Sequence, residues 1–139
     1  MKQLILVPTL LLALATACGG GTLIPLETTP RTPAAIGTID VEHGPNNNTV
    51  GKLHVEHLAP PAAIRNDLSV YVAWVRPVGA SSWQNVGQLL VGESREGDLR
   101  LKVPQQQFEL LVSAEGSGDA TQPSDFVVMQ GQVDSRNAS

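Results

Sequence analysis

Apolar residues in this chain recur at every second position, in short runs broken by glycine, proline and asparagine. Ile39 and Val41 alternate with polar neighbours; so do Leu53 and Val55, then Leu99, Leu101 and Val103, then Phe108, Leu110 and Val112. Successive side chains of a strand point to opposite faces, so a period of two gathers each set on one face. Residues 68–75, LSVYVAWV, are apolar at nearly every position, which predicts a central strand covered on both sides. Further strands are expected near residues 85–91 and 126–133.

Between these runs lie turn-forming clusters: Gly44-Pro45-Asn46-Asn47-Asn48, Pro60-Pro61, Gly79-Ala80-Ser81-Ser82, Glu96-Gly97-Asp98 and Gly116-Ser117-Gly118-Asp119. No window carries the period of a three-turn amphipathic helix. About seven short strands, with a turn signal roughly every ten residues, predict an all-β domain over 36–134, an antiparallel immunoglobulin-like β-sandwich. Residues 135–139 are expected to form a disordered tail. The chain has one cysteine, so no disulfide can form within it and its stability must come from packing. Thiol catalysis and cysteine metal sites fall away for the same reason.

The start of the chain has a different character. Lys2, an apolar run from Leu4 to Ala15 and then Ala15-Thr16-Ala17-Cys18 make a short export signal ending in small residues before a cysteine. The run is well short of the roughly 20 apolar residues that cross a bilayer as a helix. These residues resemble the bacterial lipobox. That resemblance implies that segment 1–17 is a lipoprotein signal peptide that is cut away, and that Cys18 is acylated with palmitate-type chains and becomes the mature N-terminus. Gly19 follows where inner-membrane lipoproteins commonly carry Asp, so the expected address is the outer membrane, facing the periplasm or the cell surface, in a cell that has one, and the outer face of the plasma membrane in a single-membrane cell. Residues 18–35, with three glycines and then three prolines among threonines, are expected to be a flexible tether reaching at most ~55 Å. The alternative is that residues 23–26 pack on the domain as an extra strand.

Removing residues 1–17 leaves 122 residues, enough for one core, with a formal charge of −5. Basic residues such as Arg65, Arg76, Arg95 and Arg100 are scattered singly, and no nucleic-acid partner is expected.

Within the strand region a second resemblance emerges. Tyr71-Val72-Ala73-Trp74, Pro77, Asn85-Val86-Gly87, Leu99, the run from Phe108 to Glu115 and Gln122-Pro123-Ser124 before an apolar run ending at Gly131 resemble the extracytoplasmic C-terminal domain of anti-sigma-K-type factors. The resemblance covers roughly residues 68–133 and implies a sandwich used for extracytoplasmic sensing or interaction, with Trp74 and Glu115 at family-pattern positions. Those factors carry a cytoplasmic sigma-binding segment and a membrane helix ahead of the sandwich. Neither is read here, so sigma-factor control is not expected to carry over.

Candidate sites are few. His43, His54 and His57 are the imidazoles an exported metal site would use, with Glu42 or Glu56 as a further ligand. His54 and His57 are three apart, however, and a regular strand points them to opposite faces. There is no G-x-S-x-G, the carboxylate pairs Glu93 with Glu96 and Asp119 with Asp125 fall in turns, and two aspartates are too few for calcium. Trp74 is expected to fill the core between the sheets. Trp83, beside a Gly-Ala-Ser-Ser turn, either packs under its own loop or stands as an anchor on a binding surface. The expectation is thus a non-enzymatic, lipid-anchored binding or structural module of the bacterial envelope, without cofactor, held to the bilayer through Cys18 and meeting an envelope protein partner. The alternative is an exported metal-binding protein using His43, His54 and His57.

Overall fold

The computed structural model describes residues 21–138; the signal segment 1–17, Cys18 and Ser139 lie outside the described residues. Nine strands form two antiparallel sheets. The first sheet orders β1 (Thr22–Pro25), β3 (Ile36–His43), β4 (Thr49–Glu56) and β7 (Gly97–Val103) side by side. The second orders β2 (Glu27–Thr28), β9 (Val127–Asp134), β8 (Gln107–Glu115), β5 (Val70–Pro77) and β6 (Gln84–Leu89). Among the described residues helix is confined to a 3-10 turn at Pro45–Asn47 and to α1 (Pro61–Ile64).

The period-two residues meet in one core. Ile39, Val41, Leu53, Val55, Leu101 and Val103 from the first sheet face Tyr71, Ala73, Val75, Phe108, Leu110 and Val112 from the second. Each large apolar side chain taken fully out of water contributes about 1.5–3 kcal/mol. Tyr71 reaches past this core, and its Oη donates to the carbonyl of Ala59 at 2.5 Å. Burial pushes its phenol up to about 12.

Where the composition of residues 18–35 implies a flexible segment, the described residues 22–25 form an extra strand on the domain, the alternative expectation. Residues 22–28 belong to both sheets: β1 lies beside β3 from Thr22↔Val41 to Pro25↔Thr38, and β2 lies beside β9 through Glu27↔Gln130. The chain changes sheets at Leu26, which is 8% exposed and donates its N–H to Gly37 O at 2.9 Å. The cause is the spacing of Ile24 and Leu26, whose shared face seals the edge of the core. Gly131 makes room for it, because a Cβ there would sit 2.7 Å from Leu26 Cδ2. Residues 29–35 stay on the sandwich too. Thr29 Oγ1 donates to Val127 O at 2.8 Å, and Thr32 and Ala35 are buried.

The C-terminal residues also pack, contrary to the expected tail. Ser135 is fully buried, with its N–H on Gln106 O and its hydroxyl 2.6 Å from Thr49 Oγ1, and Ala138 joins the core. Arg136 folds back on Asp134, whose carboxyl its hydrogen bonds hold down at about 2.

Trp74 is the third correction. It is fully buried, but on the outer face of the five-stranded sheet, where it clusters with Val72 and Leu111. Along β5 the odd positions Tyr71, Ala73 and Val75 take the face between the sheets, so the even ones turn outward. β5 is covered on both sides as its composition predicts, the outer cover coming from Trp83, Ala120 and Val127.

The register defines two ends. The start of β1, the Pro45–Asn47 turn, the loop 104–106 and residues 135–138 share one. The loop 90–96 and α1 lie at the other.

Candidate functional site

The outer face of the five-stranded sheet is divided into a covered half and an open half. Over the covered half folds the loop 116–126. Asn85 Nδ2 donates to Gly118 O at 2.9 Å and to Ala120 O at 3.0 Å, tying this loop to β6. Beneath it runs a buried chain of hydrogen bonds. Trp74 Nε1 donates to Ser113 Oγ at 2.8 Å, Ser113 Oγ donates to Glu115 Oε2 at 2.5 Å, and Ser124 N donates to the same oxygen at 2.9 Å. Ser124 Oγ also donates to Ala114 O at 2.8 Å. A buried carboxylate is tolerated only when its oxygens are satisfied in this way. Trp74 and Glu115, noticed as separate positions in the sequence, are thus joined through Ser113.

The open half is a groove of about 480 Å³ beside Trp83. Arg76 continues the outward face of β5 after Trp74, and the register of β5 with β8 sets it directly opposite Glu109. Its Nη2 and Nε lie 2.5 Å and 2.7 Å from Glu109 Oε2. Its guanidinium lies 4.4 Å from the centre of the Trp83 ring. A planar cation over an aromatic face is attracted by the ring quadrupole, so Arg76 is fixed from two directions. Both charged side chains are 31% exposed. Gln130 and Gln132 of β9 and Glu27 of β2 form the opposite wall. Leu110 and Gly131 line the floor, the buried Leu110 through its backbone.

Trp83 is half-buried and separates this groove from a second cleft of about 540 Å³, lined by Ser81, Ser82, Thr121, Gln122 and Pro123. Trp83 packs on the Trp74 cluster, with the rest of its ring bordering both clefts. Arg76 and Glu109 escape a reading of the sequence because 33 positions separate them. The one signal for Arg76 is that it extends the outward series Val72, Trp74.

The three histidines are not brought together. His43 closes β3 at the end where Thr49 begins β4, whereas His54 pairs with Thr38 near the other end. His43 Nε2 lies 3.2 Å from Arg136 O. His57 is exposed just beyond β4 with φ +54. His54 does have acidic neighbours, Asp98 Oδ1 2.8 Å from Nδ1 and Glu56 Oε1 3.2 Å from Nε2. These contact different nitrogens of the ring, so they favour its protonated form and do not converge with the other histidines on one ion. The hydrogen bond to Asp98, and then that to Glu56, raises the pKa of His54 above 6.5. Among the described residues no group of three or more His, Cys, Asp or Glu side chains is placed to hold a metal. No helix among them is long and apolar enough to cross a membrane.

No family model matches this chain, and no curated protein matches it either.

Proposed function

We propose that this chain is a lipid-anchored, non-enzymatic binding module of the bacterial cell envelope, acylated on Cys18 and carried by the outer membrane. The observation that carries the binding role is the open groove beside Trp83. Its charged groups neutralise one another, Arg76 against Glu109, which poses them for contact rather than for proton transfer. The lipobox-like run before Cys18 supports the anchor, since a single acyl chain holds a protein only marginally and two or more hold it durably.

The fold is of immunoglobulin-like type on this reading. Strands β3, β4 and β7 face β9, β8, β5 and β6, and among these strands the chain crosses between sheets after β4, after β6 and after β7. Strands β1 and β2 add one edge to each sheet. The resemblance to the C-terminal domain of anti-sigma-K-type factors is supported by the Trp74–Ser113–Glu115 chain, which gives two of its pattern positions a common structural task.

With β1 beginning at Thr22, only three residues, Gly19 to Gly21, separate the acylated cysteine from the sandwich, four Cα-to-Cα steps with a reach of at most ~14 Å. The domain then rides close to the leaflet, with the end that carries the Pro45–Asn47 turn toward the lipid. Metabolic labelling with palmitate tests the anchor. Label and membrane association should both vanish in Cys18→Ala, and a wild-type chain that takes up no label would refute it.

A further inference from the structure

We infer that the groove beside Trp83 binds a neutral polysaccharide, a proposal that rests on the reading of this chain as an envelope-binding module and names its ligand class.

The charge of the groove selects against ions. Glu109 and Glu27 repel a phosphate or a carboxylate, while a cation would find Glu109 already paired with Arg76. The ligand that suits such a surface is uncharged and carries donors and acceptors side by side. Arg76 has five N–H donors and commits those on Nε and Nη2 to Glu109, while Glu109 keeps Oε1 for another partner. Vicinal hydroxyls, each both donor and acceptor, match that pairing. Gln130 and Gln132, two apart on β9 and exposed, offer two amides with the same double character.

The groove is open and its lining mixes polar with apolar atoms, unlike the enclosed, desolvated pocket that a protein hot spot needs. Its one aromatic wall is Trp83; the Arg76 guanidinium takes one face of the ring, so the C–H face of a pyranose is received where the ring borders the second cleft, while hydroxyls meet the polar groups around it. Preorganisation favours binding further. Arg76 is held by Glu109 and by the ring, so little side-chain freedom is left to lose. The cleft on the far side of Trp83, with Ser81, Ser82, Thr121 and Gln122, prolongs the polar track past the ring. That geometry suits a linear chain of sugars laid across the sheet face better than one enclosed small molecule.

The test uses the full chain, purified in a detergent with no sugar headgroup and titrated with three neutral tetrasaccharides, of N-acetylglucosamine, β-linked glucose and α-linked glucose. The readout is the indole N–H resonance of each tryptophan. Trp83 should shift with at least one of them, with a dissociation constant of about 0.1–1 mM as expected for a shallow site, while the covered Trp74 stays in place. Trp83→Ala should abolish the response. Because Trp83 also packs on the Trp74 cluster, the double variant Gln130→Ala/Gln132→Ala, which touches no core residue, should weaken binding at least tenfold with its melting temperature unchanged. No Trp83 shift with any of the three sugars at about 10 mM, tenfold above the weakest expected constant, would overturn the inference, as would full binding by the double variant. If the chain is acylated and membrane-bound yet ignores sugars, the ligand assignment alone fails; if it binds sugars without being acylated, the site stands and the envelope anchor falls.

Discussion

The indole of Trp74 donates to the hydroxyl of Ser113 at 2.8 Å, and through that one oxygen a core-sized aromatic on β5 is coupled to the buried carboxylate of Glu115. Ser113 is itself fully buried. Its hydroxyl therefore serves two partners that water cannot reach.

Ser113→Ala leaves the Trp74 N–H without its acceptor and strips Glu115 Oε2 of one of its two donors. A buried polar group stripped of its partner costs about 1–3 kcal/mol, more when charged, so we expect a loss near the top of that range. Urea denaturation at neutral pH reads it directly. A midpoint equal to that of the wild type would mean that the chain of hydrogen bonds contributes nothing.

Leu26→Ala tests whether residues 22–28 belong to the sandwich. A buried leucine truncated to alanine costs about 2–5 kcal/mol, and at the edge of the core we expect the lower part of that range. A residue on a free tether would cost nothing measurable. Gly131→Ala should destabilise through the same contact, since the new methyl would press on Leu26 Cδ2.

What the sequence made legible follows from which physical signals are local. The alternation at 39/41, 53/55, 101/103 and 108/110/112 is local, and every one of those residues lies in the core. The double apolar face of β5 is local too, but which of its faces meets the other sheet depends on partners far away in the chain, so Trp74 was assigned to the wrong side. Residues 22–28 were obscured by neighbouring glycines and prolines, although Ile24 and Leu26 carry the period-two mark. The groove was hidden because strand register alone brings Arg76 to Glu109 and places Gln130 and Gln132 opposite.

The pH dependence of stability should carry the mark of His54. Its pKa is raised in the folded protein by Asp98 and then Glu56, so the protonated ring stabilises the fold. That stabilisation is fully present below 6.5 and is lost as pH rises through the raised folded-state value. All three side chains are more than a third exposed, so screening leaves a few tenths of a kcal/mol. Melting curves between about pH 5 and 8.5 should show a fall with rising pH that is smaller in His54→Gln. Identical profiles would contradict it.

The short link to the anchor gives a geometric expectation. Asn137 lies at the end that the start of β1 shares, and Ser94 lies at the opposite end. With Cys18 acylated, Asn137→Cys and Ser94→Cys each offer one reactive thiol for a fluorophore. In vesicles holding a headgroup quencher, the label at 137 should be quenched more strongly than that at 94. Equal quenching would point to a long, free leash.

The most direct measurement of the account is the intact mass of the chain extracted from envelopes. The account predicts a protein that lacks residues 1–17 and carries acyl chains on Cys18. A full-length, unmodified mass recovered from the soluble intracellular fraction would contradict it.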